Sequence, residues 1–187
     1  MAKTGLSGGY FALYANENGV VTYSGGMKLA KSVDMSVSLN NTGAVEFYAD
    51  NALAESARYF SSGTFSANVD RITDEVAAAI YGATIGEDGS VTYAEGDDIP
   101  LVGLGWVEQV VEDNVTKYIG IVFPKAQFDL AGNDLQTRGA QIAFNPYQVG
   151  GSIMRDDTAT KRWRVTSPRY TDEATAIQWV KTFLSIT

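Results

Sequence analysis

Between residues 33 and 40 the chain alternates strictly, with Val33, Met35, Val37 and Leu39 set against Asp34, Ser36, Ser38 and Asn40. A period of two is that of a β-strand with one dry and one wet face. Residues 63–70 repeat it, Phe65, Ala67 and Val69 alternating with Thr64, Ser66, Asn68 and Asp70. Upstream, residues 9–15 and 20–24 flank the turn-rich Asn16-Glu17-Asn18-Gly19 and predict a hairpin. Asn40-Asn41-Thr42-Gly43 predicts a turn, residues 44–48 a short returning strand, Ala49-Asp50-Asn51 a break, and residues 52–57 a second connection.

Two segments switch to helical spacing. Thr73 is a good N-cap, Asp74 and Glu75 suit the positive end of the helix dipole, Val76, Ala77 and Ile80 form a stripe, and Gly82 supplies a stop, so a short helix is expected over residues 74–81. Thr171 or Asp172 caps a second helix, with Ala176, Ile177, Val180, Phe183 and Leu184 as its apolar face. Residues 101–111, 117–123, 139–145, 152–155 and 161–166 read as further strands, and residues 86–90 as a turn. Strands, helix, strands, helix is not the regular alternation of a parallel α/β sheet. The expectation is a mainly β protein with minor α: an antiparallel sandwich or barrel whose helices cover an edge or mouth. No internal repeat or linker divides residues 1–187, which favours one domain.

Composition narrows the function. A chain of 187 residues, 45% hydrophobic and 19% charged, is globular and long enough to bury roughly 70% of its unfolded surface. It has no cysteine and no histidine. That removes disulfides, Cys/His zinc sites, cysteine nucleophiles and histidine acid/base chemistry. No apolar run approaches a membrane span, and the opening MAKTGLSGGY lacks the apolar core of a secretory signal, so synthesis and assembly in the cytosol are expected. The formal charge of −8 lies wholly in residues 1–100, where five cations face thirteen carboxylates. Such a chain lacks the electrostatic footprint of a nucleic-acid binder.

No catalytic constellation emerges. Asp97-Asp98, Glu112-Asp113 and Asp156-Asp157 are adjacent carboxylates in turn-like segments, where Asp bonds its own backbone, and they make a weak case for a glycosidase. Residues 87–89 and 129–134 lack the spacing of a calcium loop, and residues 24–28 lack the run of a phosphate-binding loop. The basic stretch Lys161, Arg162, Arg164 and Arg169 is interleaved with Trp163 and Tyr170. An alternative reading makes the chain a monomeric carbohydrate-binding β-sandwich with Tyr147, Trp163 and Tyr170 as its platform.

The order of these features resembles the major tail protein, or tail tube protein, of long-tailed bacteriophages, phi13 type. The resemblance covers about residues 10–125 and rests on Tyr48-Ala49-Asp50-Asn51 after the first amphipathic strand, Gly63 opening the second, the Thr73 to Gly82 helix, and Pro100-Leu101-Val102-Gly103-Leu104-Gly105 with Lys117-Tyr118 further on. It implies a structural virion protein and not an enzyme, without cofactor or metal. Its subunits would form hexameric rings, stacked into a tail tube that conducts DNA during ejection without binding it specifically. Further implied partners are a tape measure protein, a tail terminator and tail-tip proteins, with no membrane; the location is the virion tail, assembled in the host cytoplasm. Some relatives append an immunoglobulin-like module after the tube domain; the expectation here is a single tail-tube domain over residues 1–187 without one. The resemblance turns the wet faces of the two amphipathic strands into lumen faces, placing Asp34, Ser36, Ser38, Thr64, Ser66, Asn68 and Asp70 in the channel. The long connection between these two strands, residues 40–58 with Asn41, Tyr48, Asp50 and Asn51, is then expected to reach the neighbouring ring.

Overall fold

The computed structural model describes residues 2–43, 45–49, 52–130 and 146–187. Strands β1 (Ala2–Glu17) and β2 (Val20–Ala30) meet at Asn18-Gly19, whose φ values of 53° and 84° are the left-handed pair that a two-residue hairpin needs. Both strands run past their expected ends. Lys31 alone separates β2 from β3 (Ser32–Asn41), so these two strands follow each other almost without a break.

The short returning strand expected at residues 44–48 is present, but the second connection expected at residues 52–57 is instead a strand that pairs with it. Strands β4 (Val45–Ala49) and β5 (Ala52–Ala57) pair antiparallel, and β6 (Phe60–Val69) returns alongside β3. Thr42 and Tyr59 close the hairpin's base: Thr42 N–H donates to the Tyr59 carbonyl at 2.8 Å, and Tyr59 N–H donates to Thr42 Oγ1 at 3.0 Å.

Helix α1 (Asp74–Tyr81) has the predicted bounds, with Thr73 accepting from Val76 N–H and Gly82 ending it at φ 74°. Strands β7 (Thr84–Ile85) and β8 (Val91–Thr92) form a small hairpin around residues 86–90. Then come β9 (Leu101–Glu112), β10 (Val115–Phe128), β11 (Tyr147–Met154), β12 (Val165–Thr166) and α2 (Glu173–Phe183). Of the expected strand at residues 161–166 only the last two residues pair, and the one at 139–145 lies outside the described residues.

The main sheet is antiparallel in the order β2-β1-β9-β10-β11-β6-β3. Strand β10 is its spine. It follows β9 along its length, while Ile121 and Val122 also pair with β12 and residues 125–128 with β11. Its register breaks between Phe123 and Ala126, around Pro124, which has no N–H to give a ladder. Because β2 runs straight into β3, the two ends of the sheet are joined through Lys31 and the sheet rolls on itself. Gly9 of β1 meets Ser32 there, its missing Cβ lying 3.2 Å from Ser32 Oγ.

Rolling creates two cores. The inner one packs Phe11, Phe65, Val102, Trp106, Phe123, Phe128, Val149 and Ile153, with α1 contributing Val76 and Ile80. The second lies outside the sheet, where α2 sets Ala176, Val180 and Leu184 on Ala12, Val107 and Val122. Alternation along β1 divides its side chains between the two, Phe11 inward and Ala12 outward. Thus α2 covers a face of the sheet and not the expected edge or mouth. It lies close because Gly105 and Gly120 pave the contact: a Cβ at either would stand 2.7 Å from Val180 or Trp179. Asp172 caps this helix by accepting from Thr175 N–H at 2.8 Å. Asp172→Ala is expected to cost about 1 kcal/mol, read as a small fall in urea midpoint with unchanged circular dichroism.

Candidate lumen face and projecting hairpin

The register of three strands assembles the proposed wet face. Asp34 stands opposite Asn68, Ser36 opposite Ser66 and Ser38 opposite Thr64 across β3 and β6. On the other side of β6, Gln148, Gly150 and Ser152 continue the same three rows into β11. Asp34 accepts two 3.0 Å hydrogen bonds from Asn68 Nδ2, and Gln148 Nε2 donates to Ser66 Oγ at 3.1 Å. The opposite face carries Phe65, Ala67, Val69, Val149 and Ile153, all buried. Burial of alternate residues on β6 and β11 holds the polar set outward, because a one-residue slip would reverse both faces.

Gln148 and Ser152 were missed on the sequence. The signal was there, since Val149, Gly151 and Ile153 alternate with them, but the adjacent glycines Gly150 and Gly151 weaken the strand pattern.

Asp70 differs from its companions. It lies one residue beyond β6, and its carboxylate accepts from the backbone N–H of Arg71 at 2.8 Å and of Lys31 at 3.0 Å. These bonds, Arg71's first, hold its carboxyl below the ordinary range. Asp70 thus ties the corner where β2 becomes β3. Asp34 is then the only charged residue among the three paired rows, and that face is polar and nearly neutral.

Val33 departs from its expected dry position. The β3–β6 register shifts between Ser32 and Asp34, and Val33 is 61% exposed. Leu39, at the other end of the apolar row, is 39% exposed, while Met35 and Val37 pack against the inner core.

Of the residues expected to reach a neighbouring ring, Asn41 ends β3 opposite Phe60 and Tyr48 stands in β4 opposite Leu53. Asp50 and Asn51 lie outside the described residues.

The other candidate chemistry is dispersed. Trp163 stacks on Phe60 at 4.6 Å, Tyr147 packs against the inner core, and Tyr170 packs against the α2 core with its backbone bonded to Tyr118. The carbohydrate platform is therefore divided between two cores. Asp156 pairs with Arg162, Asp157 with Lys125, and Glu112 with both Lys117 and Arg169, each at 2.9 Å or less. Three of the six adjacent carboxylates thus serve ion pairs, while Asp97 accepts from the backbone N–H of Ala94 at 2.7 Å. No three or more His, Cys, Asp or Glu side chains cluster as metal ligands would among the described residues, and no helix there is long and apolar enough to cross a membrane. No family model matches this chain, and neither does any curated protein.

Proposed function

We propose that this chain is a structural subunit that self-assembles into stacked hexameric rings, the tail tube of a long-tailed bacteriophage, and that the bore conducts DNA during ejection. One observation carries the reading: the small, polar, nearly uncharged face built in register by β3, β6 and β11 on a closely packed apolar backing. A conduit for a polyanion needs a wall without cations, and this face offers hydroxyls, amides and one carboxylate. Strand β3 ends the sheet path, leaving one backbone edge without a partner among the described residues. Ring closure pairs such edges and so removes an aggregation hazard. The hairpin of β4 and β5, standing at the end of this face, suits contact with the next ring.

Negative-stain electron microscopy over a concentration series, beside light-scattering mass, tests this. Hollow rings or tubes are expected. Replacing residues 44–57 by Asn-Gly is expected to leave a folded subunit, because Thr42 and Tyr59 already close the base, and to cut tube length to single rings or short stacks. A chain that stays monomeric at every concentration, or a trimmed variant with tubes of normal length, counts against the ring reading or the hairpin's part in it, respectively.

A further inference from the structure

The rolled sheet leaves an opening into its inner core. A slot of about 510 Å³ lies along β3, with Met35 and Val37 on one wall, Leu6 on the other, and Trp106, Ile121 and Phe123 as its floor. Its two ends carry opposite charge. At one, Glu108 pairs with Leu6 of β1 and Ile119 of β10. At the other, Arg164 precedes β12, whose Val165 pairs with Val122, a register that sets Arg164 beside Phe123. Ile119 and Phe123 are four residues apart in β10, which is about 14 Å of strand.

Strand β3 runs from one end to the other. Its Ser32 meets Gly9, just beyond Leu6, and Asp34 joins Glu108 in lining the acidic end. Its last residue, Asn41, pairs with Phe60, whose ring is stacked on Trp163, the neighbour of Arg164. Arg164 is exposed, and its guanidinium has no carboxylate partner among the described residues. Asp34 and Glu108 already interact within the chain. A carboxylate has about four acceptor sites, so a cation adds to those bonds and need not replace them. Along the slot, β3 presents a backbone edge without a strand partner among the described residues. An extended peptide adds to such an edge as a further strand, its backbone bonded to the sheet and its alternate side chains seated in pockets.

We propose that β3 takes up an extended segment of another polypeptide as an antiparallel strand. A carboxylate of that segment faces Arg164, an apolar side chain two residues on lies over Trp106, and a cation two residues further faces Asp34 and Glu108. Four residues from first to last match the separation of the charged ends. The intervening side chains point the other way, alongside Ser36 and Ser38, and are therefore polar. The proposal rests on the reading of the chain as an assembling subunit, because it states the chemistry of the segment that pairs the free edge.

The probe is a fluorescein-labelled Gly-Gly-Glu-Thr-Val-Thr-Lys-amide, titrated with dilute subunit and read by anisotropy. Saturable binding is expected. Arg164→Glu is expected to weaken it about tenfold, the equivalent of roughly 1.4 kcal/mol, and a probe with Lys in place of its Glu to restore binding to that variant. Circular dichroism confirms that the variant folds. Methylating the probe's backbone nitrogens one at a time is expected to abolish binding at alternate positions only, since every second N–H of an added strand faces the edge. Equal affinity for all the methylated probes, or for a probe with Glu in place of its Lys, overturns the strand addition. Electron microscopy of the same preparations, concentrated, separates this inference from the tube reading. Tubes without probe binding overturn the docking and leave the tube standing; binding without tubes keeps the docking and removes the tube; neither overturns both.

Discussion

Gly151→Ala is expected to destabilise the protein by at least about 3 kcal/mol, near the upper end for overpacking a core. For a chain of this size that lowers Tm by roughly 6–12 °C. Gly151 is buried in β11, opposite Phe65 on one side and Phe128 on the other. Those two rings meet edge to face at 5.3 Å, and a Cβ on Gly151 would stand 2.7 Å from the Phe65 ring and collide with the backbone carbonyl of Gln127. A ring can turn aside, but the carbonyl belongs to the β10 ladder and moves only if the β10–β11 pairing moves. The neighbouring Gly150 is the control, since its Cβ would meet just one atom, Phe65 O at 3.2 Å. Gly150→Ala is expected to cost under about 1 kcal/mol. Equal urea midpoints for the two variants would show that β11 shifts freely, and the polar face proposed for the bore would lose its rigid backing.

The second large effect concerns Asp156, whose side chain is fully buried while that of its partner Arg162 is 37% exposed. Asp156 Oδ2 accepts from Arg162 Nε at 2.8 Å, and its Oδ1 accepts from Arg162 N–H and from Thr158 Oγ1, both at 2.7 Å. Burial pushes this carboxyl up, but hydrogen bonds from Thr158 and Arg162 and the guanidinium charge outweigh it and hold the group below the usual Asp range. Arg162 in turn lies 5.7 Å over the Phe183 ring of α2, so the loop and the helix are fastened together. Asp156→Asn faces an amide N–H₂ toward the guanidinium and is expected to cost about 2–3 kcal/mol, less than a fully buried pair because Arg162 reaches water.

The pH dependence follows in sign. A carboxyl with a folded pKa below its unfolded value contributes stability that is complete above the unfolded pKa, near 3.9, and is lost as pH falls through the folded one. Asp70, Glu112, Asp157 and Asp172 shift in the same direction, through hydrogen bonds from Arg71, Lys117, Lys125 and Thr175 respectively. Urea midpoints are therefore expected to stay flat from about pH 7 to 5 and to fall steeply below 4. The Asp156→Asn curve should converge on the wild-type curve in acid; parallel curves down to pH 2 would show that the carboxylate is not the cause.

Local signals carried the mainly β reading because each depended on neighbours in sequence. Alternation at residues 63–70 set the inward and outward faces of β6 correctly, since side-chain direction in a strand reverses at every residue. Thr73, Asp74 and Gly82 bounded α1 to the residue, because capping satisfies orphan N–H and C=O groups within one turn. What failed depended on contacts far along the chain. Val33 was assigned to the dry face by alternation, and a register shift against β6 exposed it. Residues 52–57 look like a connection, with Ala, Glu and Ser in place of strand formers, yet pair with β4 once β3 and β6 hold their ends together. Asp70 seemed one more polar residue of a strand, and only the corner at Lys31 made its carboxylate a backbone tie.

Charge divided in the same way. The sequence alone determined that the excess negative charge precedes residue 101 and that histidine and cysteine chemistry is absent. Which charges neutralise one another was decided by the tertiary structure, because an ion pair needs its partners within 4 Å, and Arg169 finds Glu112, 57 residues away. The same is true of the polar face. Each strand's alternation was written locally, but that β3, β6 and β11 set their polar rows side by side follows from strand order and register, which long-range burial of the inner core selects.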